Sequence, residues 1–129
     1  MTTTDLATPP LDTIRTSAIV VLHRDGWIQG DYASNRPGKT GCCLVEAIGR
    51  GAGLPPLTLA RKKLRHADAA LLPQWEAAHN LMDEIATHLG RNPEDDELNP
   101  KWWLTNWNDT TGRTQAQVLA ALEGDQERA

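Results

Sequence analysis

Apolar residues recur every three or four positions along most of this chain, which is the spacing of α-helices that bury one face. Residues 11–24 form the first such segment, and Gly26 supplies a stop just after it. Residues 18–22 are apolar on several sides, so a strand is the alternative there, although a helix is favoured. A second helix is predicted over residues 42–50, before glycines and a proline pair that prevent its continuation.

The second half of the chain has a clearer helical pattern. A weak helix is predicted over residues 57–67, and the strongest one follows over residues 68–89, with Gly90 as its cap. A last helix is predicted after Thr114, which forms a capping-box pair with Gln117. The strongest helix carries an apolar stripe of the width that a surface helix buries, made of Trp75, Ala78, Leu81, Met82, Ile85 and Leu89.

Two intervening segments lack a clear period. Residues 27–32 are short and extended, and we interpret them as an ordered loop or one minor strand. Residues 91–112 form a long connection, and a connection of this length in a small domain is usually ordered for a reason or contains a short element. The sequence therefore predicts a mainly α fold, a compact bundle of four or five short helices with a long ordered loop.

Length and composition fit one domain. The chain has 129 residues, 40% of them apolar, which suffices for a core without a metal or disulfide. Residues 1–10 are predicted to be a disordered lead, residues 11–124 the helical domain and residues 125–129 a frayed end. No stretch has the apolar length of a membrane span or the pattern of a signal peptide, and the two adjacent Cys are unsuited to a relaxed disulfide. These features predict a cytoplasmic protein.

Cysteine catalysis is one hypothesis for the function. Cys43 lies near a predicted helix N-terminus, where the helix dipole and free N–H groups stabilise a thiolate. His79 is a candidate base and Asp109 a candidate for orienting it, which would give a hydrolase or a transferase. Against this, Cys43 falls on the apolar side of its helix, where a free thiol serves as a small core residue. A protein without catalytic residues is therefore favoured.

Metal and cofactor binding are not predicted. The two Cys and four His have none of the paired spacings of known metal sites. On the strongest helix, His79 with Asp83 and Glu84 with His88 project from opposite flanks of the apolar stripe. The four side chains therefore cannot coordinate the same metal ion.

A short basic run makes nucleic-acid binding a further alternative, through Arg61, Lys62, Lys63 and Arg65. The chain as a whole carries a net charge of −4, unlike proteins that hold nucleic acid by their overall charge. No aromatic residue is interleaved with the basic residues, so we interpret the run as a solvated helix face.

The tryptophans support the preferred functional hypothesis. The chain has five Trp, of which Trp102, Trp103 and Trp107 lie close together in the long connection. Trp107 is predicted to fill the core. Trp102 and Trp103 are candidates for a binding surface, because exposed Trp is enriched at interface hot spots. The pattern favours a non-enzymatic module that binds another protein, and it leaves the oligomeric state open.

Several short motifs occur at Gly26-Trp27, Gln29-Gly30, Cys43, Trp107-Asn108-Asp109, Gly112-Arg113-Thr114 and Val118. In these motifs the chain resembles a family of small actinobacterial and actinophage proteins that is known only as a domain of unknown function. The resemblance spans residues 11–122 and departs from the usual pattern at Glu46, where a Gly is common. It carries no established activity. It is compatible with a phage-encoded protein, in which case the protein that the preferred hypothesis expects it to bind is a host protein.

These motif residues have structural interpretations. Trp27 is expected to fix the first helix against the domain, Cys43 to fill the core beneath it, and Trp107 to anchor the long connection. Asn108 and Asp109 suit an Asx-type turn that leads into the last helix. The alternative is that Cys43, Asn108 and Asp109 line one pocket as its polar groups.

Overall fold

The computed structural model describes residues 8–94 and 98–124. Within these ranges the chain forms five α-helices, which confirms the mainly α bundle predicted from the apolar periodicity. The first seven residues of the predicted lead over residues 1–10 and the predicted frayed end over residues 125–129 lie outside the described residues. The helices are α1 (Leu11–Asp25), α2 (Leu44–Gly51), α3 (Leu72–Leu89), α4 (Pro100–Asn108) and α5 (Gln115–Glu123).

All five helices contribute to one cluster of buried apolar side chains. Of the six stripe positions predicted on α3, four are buried, and Trp75 and Leu89 are half-buried against the same core. The capping box predicted at Thr114 is present, with hydrogen bonds in both directions to Gln117. None of the helices described has the length and apolar character needed to cross a membrane.

The backbones of α1 and α2 nearly touch where the helices cross. A Cβ atom on Gly51 would lie only 2.8 Å from the backbone nitrogen of Ala18 and 3.0 Å from the backbone oxygen of Ile14. The first distance is shorter than real Cβ atoms show and the second lies at that limit, so a side chain at the last position of α2 would force the two backbones apart. This close approach presses the buried faces of both helices together.

A buried ionic group fixes the chain that follows α2. Glu46 is 1% exposed, and its carboxylate accepts hydrogen bonds from Nε of Arg50 and from the backbone N–H of Leu57, each at 3.0 Å. Arg50 also donates to Asp25 at the end of α1, at 2.9 Å. Leu57 has a left-handed backbone with φ of 67°. The carboxylate of Glu46 therefore stabilises a backbone bend that a leucine rarely adopts.

Two predictions about the middle of the chain are wrong. In place of a helix over residues 57–67, the chain forms two 3₁₀ segments, Thr58–Ala60 and His66–Leu71. The backbone is extended at Arg61 and at Arg65, with ψ of 152° and 148°, which separates the two segments and prevents a continuous helix. Helix α3 begins later than predicted, at Leu72, because the residues before it form the second 3₁₀ segment, in which Asp68 departs from helical φ and ψ.

Part of the predicted long loop is helical. Helix α4 occupies residues 100–108 of the connection that we described as lacking a period. Its start is fixed by Asn99, whose side chain accepts from the backbone N–H of Trp102 at 2.9 Å, and by Pro100 in the first turn. The apolar pattern did not show the helix, because its three tryptophans do not share one face.

The extended segment after α1 forms no strand within the described residues. Trp27 and Ala33 each make a single bridge to Cys42, one parallel and one antiparallel. The two chain segments lie so close that a Cβ on Gly41 would be 2.6 Å from Cγ2 of Ile28. The loop over residues 26–33 is therefore held against the start of α2, which positions the site described below.

We expect Gly51→Ala to lower the free energy of unfolding by about 1–3 kcal/mol, the usual cost of forcing atoms into a filled core. Gly49→Ala is the matched control, because its Cβ would meet only the side chain of Leu59, at 3.0 Å. Both substitutions gain the same helix propensity. Urea denaturation measures the difference, and equal unfolding free energies would contradict the close approach of α1 and α2.

Candidate functional site

Asn108 ends α4 with its side chain fully buried. Its Oδ1 accepts hydrogen bonds from Nε1 of Trp27, at 2.6 Å, and from the backbone N–H of Leu44, at 3.0 Å. Its Nδ2 donates to the backbone oxygen of Ile28, at 3.2 Å, and to Oδ1 of Asp109, at 3.0 Å. Every donor and acceptor position of this amide is used. Asn108 thus joins α4 to the loop after α1 and to the first residue of α2.

Neighbouring polar groups strengthen the same junction. Nε2 of Gln29 donates to the backbone oxygens of Asn108 and Thr110, each at 2.9 Å. The backbone N–H of Gly30 donates to Oδ1 of Asp109 at 3.0 Å, across 79 positions of the chain. Five residues of the resemblance therefore meet in space, although they are far apart in the sequence: Trp27, Gln29, Gly30, Asn108 and Asp109.

The junction corrects one expectation about the motif. We predicted an Asx-type turn at Asn108 and Asp109. Asn108 is instead the last helical residue of α4, and its side chain reaches distant groups. Asp109 makes its contact with Gly30 rather than capping the next helix, which begins beyond Thr114.

Trp107 and Arg113 hold the turn between α4 and α5. The guanidinium of Arg113 lies over the Trp107 ring, 3.9 Å from its centre, and Nε of Arg113 donates to the backbone oxygen of Trp107 at 2.9 Å. The indole is half-buried and packs against the core. Trp107 therefore anchors this turn, and its ring is shared between the core and a stacked cation.

Cys43 is the N-cap residue of α2 and is 2% exposed. Its Sγ accepts from the backbone N–H of Glu46 at 3.5 Å, and its own N–H donates to the backbone oxygen of Tyr32 at 3.0 Å. Burial raises the pKa of this thiol to about 12. At neutral pH the sulfur is therefore a protonated, inward-facing group.

A small cavity of about 120 Å³ lies on the outer side of Cys43. Asp109 also lines it, so two of the three candidate catalytic residues share one cavity. Asn108, the third polar group of the alternative pocket hypothesis, is absent from the lining and lies in the junction behind. The lining residues are Gly30, Asp31, Tyr32, Cys43, Trp102, Thr105 and Asp109.

His79 does not join the other two candidate catalytic residues. It lines a separate, wider groove, and its Nδ1 lies 2.9 Å from the backbone oxygen of Trp75. The His79 and Trp75 rings are tilted by 41° to one another, with their centres 4.5 Å apart. Burial lowers the pKa of His79. The geometry thus places the candidate base and the candidate nucleophile in different concavities.

Trp102 stands between these two concavities. It lines both the small cavity at Cys43 and the groove at His79, and 42% of the residue is exposed. Trp103, its neighbour in α4, is half-buried and packs against the core. The two candidate interaction residues therefore differ, since Trp102 faces solvent and Trp103 largely does not.

A family model matches residues 6–124, which include every residue of the junction and of both concavities. The chain belongs to DUF6197, a family of unknown function. No curated protein and no solved structure matches the chain. Membership in DUF6197 thus establishes the family and assigns no activity to any of the residues above.

Lys101 of this DUF6197 member is only 5% exposed, which is unusual for a lysine and is not indicated by the neighbouring sequence. Its Nζ donates to the backbone oxygens of Leu59, at 3.0 Å, and Arg61, at 2.7 Å. Burial lowers the pKa of its ammonium group. Lys101 therefore fixes the start of α4 to the 3₁₀ segment. Backbone oxygens are its partners, so no sequence pattern could have revealed the contact.

The basic run does not form the helix face that we predicted. Arg61 and Arg65 both pair with Asp68, at 3.5 and 3.2 Å. Lys62 and Lys63 are exposed, on a bend between the two 3₁₀ segments. Within the described part of the chain, no three His, Cys, Asp or Glu side chains are placed to hold a metal ion.

We expect Asn108→Ala to lower the free energy of unfolding by at least about 2 kcal/mol, because each buried donor left without a partner costs about 1–3 kcal/mol. The donors affected are the Trp27 indole and the Leu44 N–H. Asn106→Ala is the control on the same helix, since Asn106 is exposed. Urea denaturation and the Trp27 indole proton resonance measure the effect, and equal stability of the two variants would contradict the role of Asn108.

Native Cys42 and Cys43 should react with Ellman's reagent at pH 8 at least about 100-fold more slowly than in the urea-unfolded chain, because the thiolate is the reactive form. Burial raises the pKa of Cys42 to about 11 and that of Cys43 to about 12, so the thiolate fraction grows only as the pH rises toward those values. Fast native labelling of Cys43 at pH 7 would instead support cysteine catalysis. A Cys42→Ala variant assigns the labelled residue.

Proposed function

We propose that this protein binds another protein through the face of α4 around Trp102. The observation that carries the proposal is the position of Trp102, a 42% exposed indole with a concavity on either side. Interface hot spots are enriched in Trp, and they sit beside pockets that receive side chains of the partner. Trp102 has this arrangement, and residues 8–94 and 98–124 include only three other large exposed apolar side chains, Val20, Leu57 and Leu72.

Helix α4, which carries Trp102, is fixed at both ends by hydrogen bonds, so it loses little conformational entropy when a partner binds. The Lys101 ammonium holds the start of α4 and the Asn108 amide holds its end. Thr105 also donates to the backbone oxygen of Lys101 at 2.9 Å. A side chain displayed on a helix fixed at both ends is already ordered before a partner arrives, which reduces the cost of association.

Two observations favour binding over cysteine chemistry. The Cys43 sulfur is buried and its pKa is raised to about 12, so a thiolate nucleophile is disfavoured at neutral pH. The candidate base His79 lies in the other concavity. Nucleic-acid binding has less support, because Arg61 and Arg65 are already paired with Asp68.

Trp103 is not included in the proposed face, because it packs against the core. We propose further that the partner is a cytoplasmic protein of a bacterial host. This part of the proposal rests on the resemblance to small actinobacterial and actinophage proteins.

We expect Trp102→Ala to abolish specific protein binding and to leave stability within about 0.5 kcal/mol, as is usual at surface positions. Affinity capture from a host lysate, with quantitative mass spectrometry, compares the wild-type chain with this variant. Leu72→Ala is the matched control, since Leu72 is an exposed apolar residue of similar exposure, 45%, on α3. Proteins retained by wild type and Leu72→Ala, and lost by Trp102→Ala, are the expected result.

Equal capture by all three chains would contradict the proposal. Sedimentation velocity adds a second readout. Self-association of the wild-type chain that Trp102→Ala removes would show that the face binds a copy of this chain, contrary to the proposal of a different partner. Unfolding of Trp102→Ala would show that the indole is a structural element.

A further inference from the structure

We propose that the small cavity beside Trp102 receives the cationic end of a lysine or arginine side chain from the partner protein. This inference rests on the proposed function, since the cavity adjoins the residue that we place at the centre of the binding face. The cavity of about 120 Å³ is lined by Tyr32, Trp102, Thr105, Asp31 and Asp109 among others. A volume of this size holds roughly four waters, or one guanidinium or ammonium group with its last methylene.

The charge of the cavity fits a cation. Asp31 and Asp109 both line it, and no Lys or Arg side chain is among its lining residues. Oδ1 of Asp109 is bound by Gly30 and Asn108, whereas Oδ2 has no partner within residues 8–94 and 98–124. The Asp31 carboxylate likewise makes no hydrogen bond or ion pair with any residue that the structure describes. Two carboxylate groups are thus free to neutralise an incoming positive charge.

The polar groups that face the cavity are hydrogen-bond acceptors, so a ligand that fits them must be a donor. The Thr105 hydroxyl already donates to the backbone oxygen of Lys101, so toward the cavity it can only accept. The free oxygens of Asp31 and Asp109 are also acceptors. Ammonium and guanidinium groups carry several donors and no acceptor, so they are complementary to this set.

Tyr32 gives an independent indication that the cavity suits a hydrogen-bond donor. Its hydroxyl is buried, and although Thr105 lies near enough to oppose the rise of the Tyr32 pKa, within the described chain the hydroxyl makes no hydrogen bond of normal geometry. A buried polar group without a partner costs free energy and calls for an explanation. A donor placed in the cavity would satisfy it.

The aromatic walls complete the fit. Trp102 and Tyr32 both line the cavity, and a cation near the face of either ring is attracted by its quadrupole. Two aromatic rings together with two carboxylates form a composite site that an apolar or an acidic side chain would not satisfy. The partner is therefore expected to present a basic residue beside the apolar contact with Trp102.

Binding of defined probes tests this inference without knowledge of the partner. The probe is the peptide acetyl-Ala-Ala-Lys-Ala-Ala-amide, with Arg and norleucine peptides in parallel, titrated into the ¹⁵N-labelled full chain at low salt. We expect the Lys and Arg peptides to shift the Trp102 indole and the Gly30 and Thr105 amides with saturation. The norleucine peptide should bind at least about fivefold more weakly, because it lacks the charge.

Variants locate the site. Asp31→Asn should weaken the Lys peptide about two- to fivefold, the range expected for an exposed charge pair. Asp12→Asn is the matched control, because Asp12 is exposed on α1 and lines none of the concavities described above. Tyr32→Phe should weaken binding as well, and it should leave the melting temperature equal or higher, because the lost hydroxyl had no partner.

Several results would overturn the inference. Equal affinity of the norleucine and Lys peptides, or an unchanged affinity in both Asp31→Asn and Tyr32→Phe, would show that no cation site exists. A free amine, n-butylammonium, that binds as tightly as the Lys peptide would assign the cavity to a small ligand instead. If Trp102→Ala loses the captured protein and the wild-type chain does not respond to the Lys peptide, the proposed protein-binding function stands. Only the proposal of a cation site is then refuted.

Discussion

The buried amide of Asn108 joins three parts of the chain that share no sequence proximity. It binds the Trp27 indole, the backbone of Ile28 and the first N–H of α2, and it does so from the last residue of α4. An amide has two donors and two acceptor positions, and here each one is matched. Because a partly matched amide in the core would be strongly unfavourable, the three segments can assemble only in this one arrangement.

This arrangement also decides the character of Cys43. A thiol at a helix N-terminus becomes reactive when free N–H groups and the helix dipole stabilise its thiolate. Here the Leu44 N–H is already bound by Asn108, and the Glu46 N–H is directed at the sulfur of a side chain that is almost fully buried. Desolvation therefore outweighs the helix terminus and raises the thiol pKa to about 12. The helix N-terminus predicts a reactive Cys43 thiolate from the sequence, but burial at the same position keeps the thiol protonated.

Local patterns were predictable from the sequence, and contacts between distant segments were not. The stripe on α3 and the capping box at Thr114 depend on neighbouring residues, so the chain displays them directly. Helix α4 has a start signal in Asn99-Pro100, but its three tryptophans do not share one face, so apolar periodicity does not reveal the helix. The Asn108 junction and the buried Lys101 could not be predicted, since their partners are largely backbone groups some 40 to 80 positions away.

The two polar anchors of α4 explain why Trp102 and Trp103, adjacent in sequence, have different environments. Apolar packing alone tolerates rotation of a helix about its axis, because many side chains fill a core almost equally well. The Lys101 ammonium and the Asn108 amide have fixed partners at opposite ends of the helix, and a rotation would break both sets of hydrogen bonds. With the rotation fixed, Trp103 turns toward the core and Trp102 toward solvent. The exposed indole is thus a consequence of buried polar contacts on the other side of its helix.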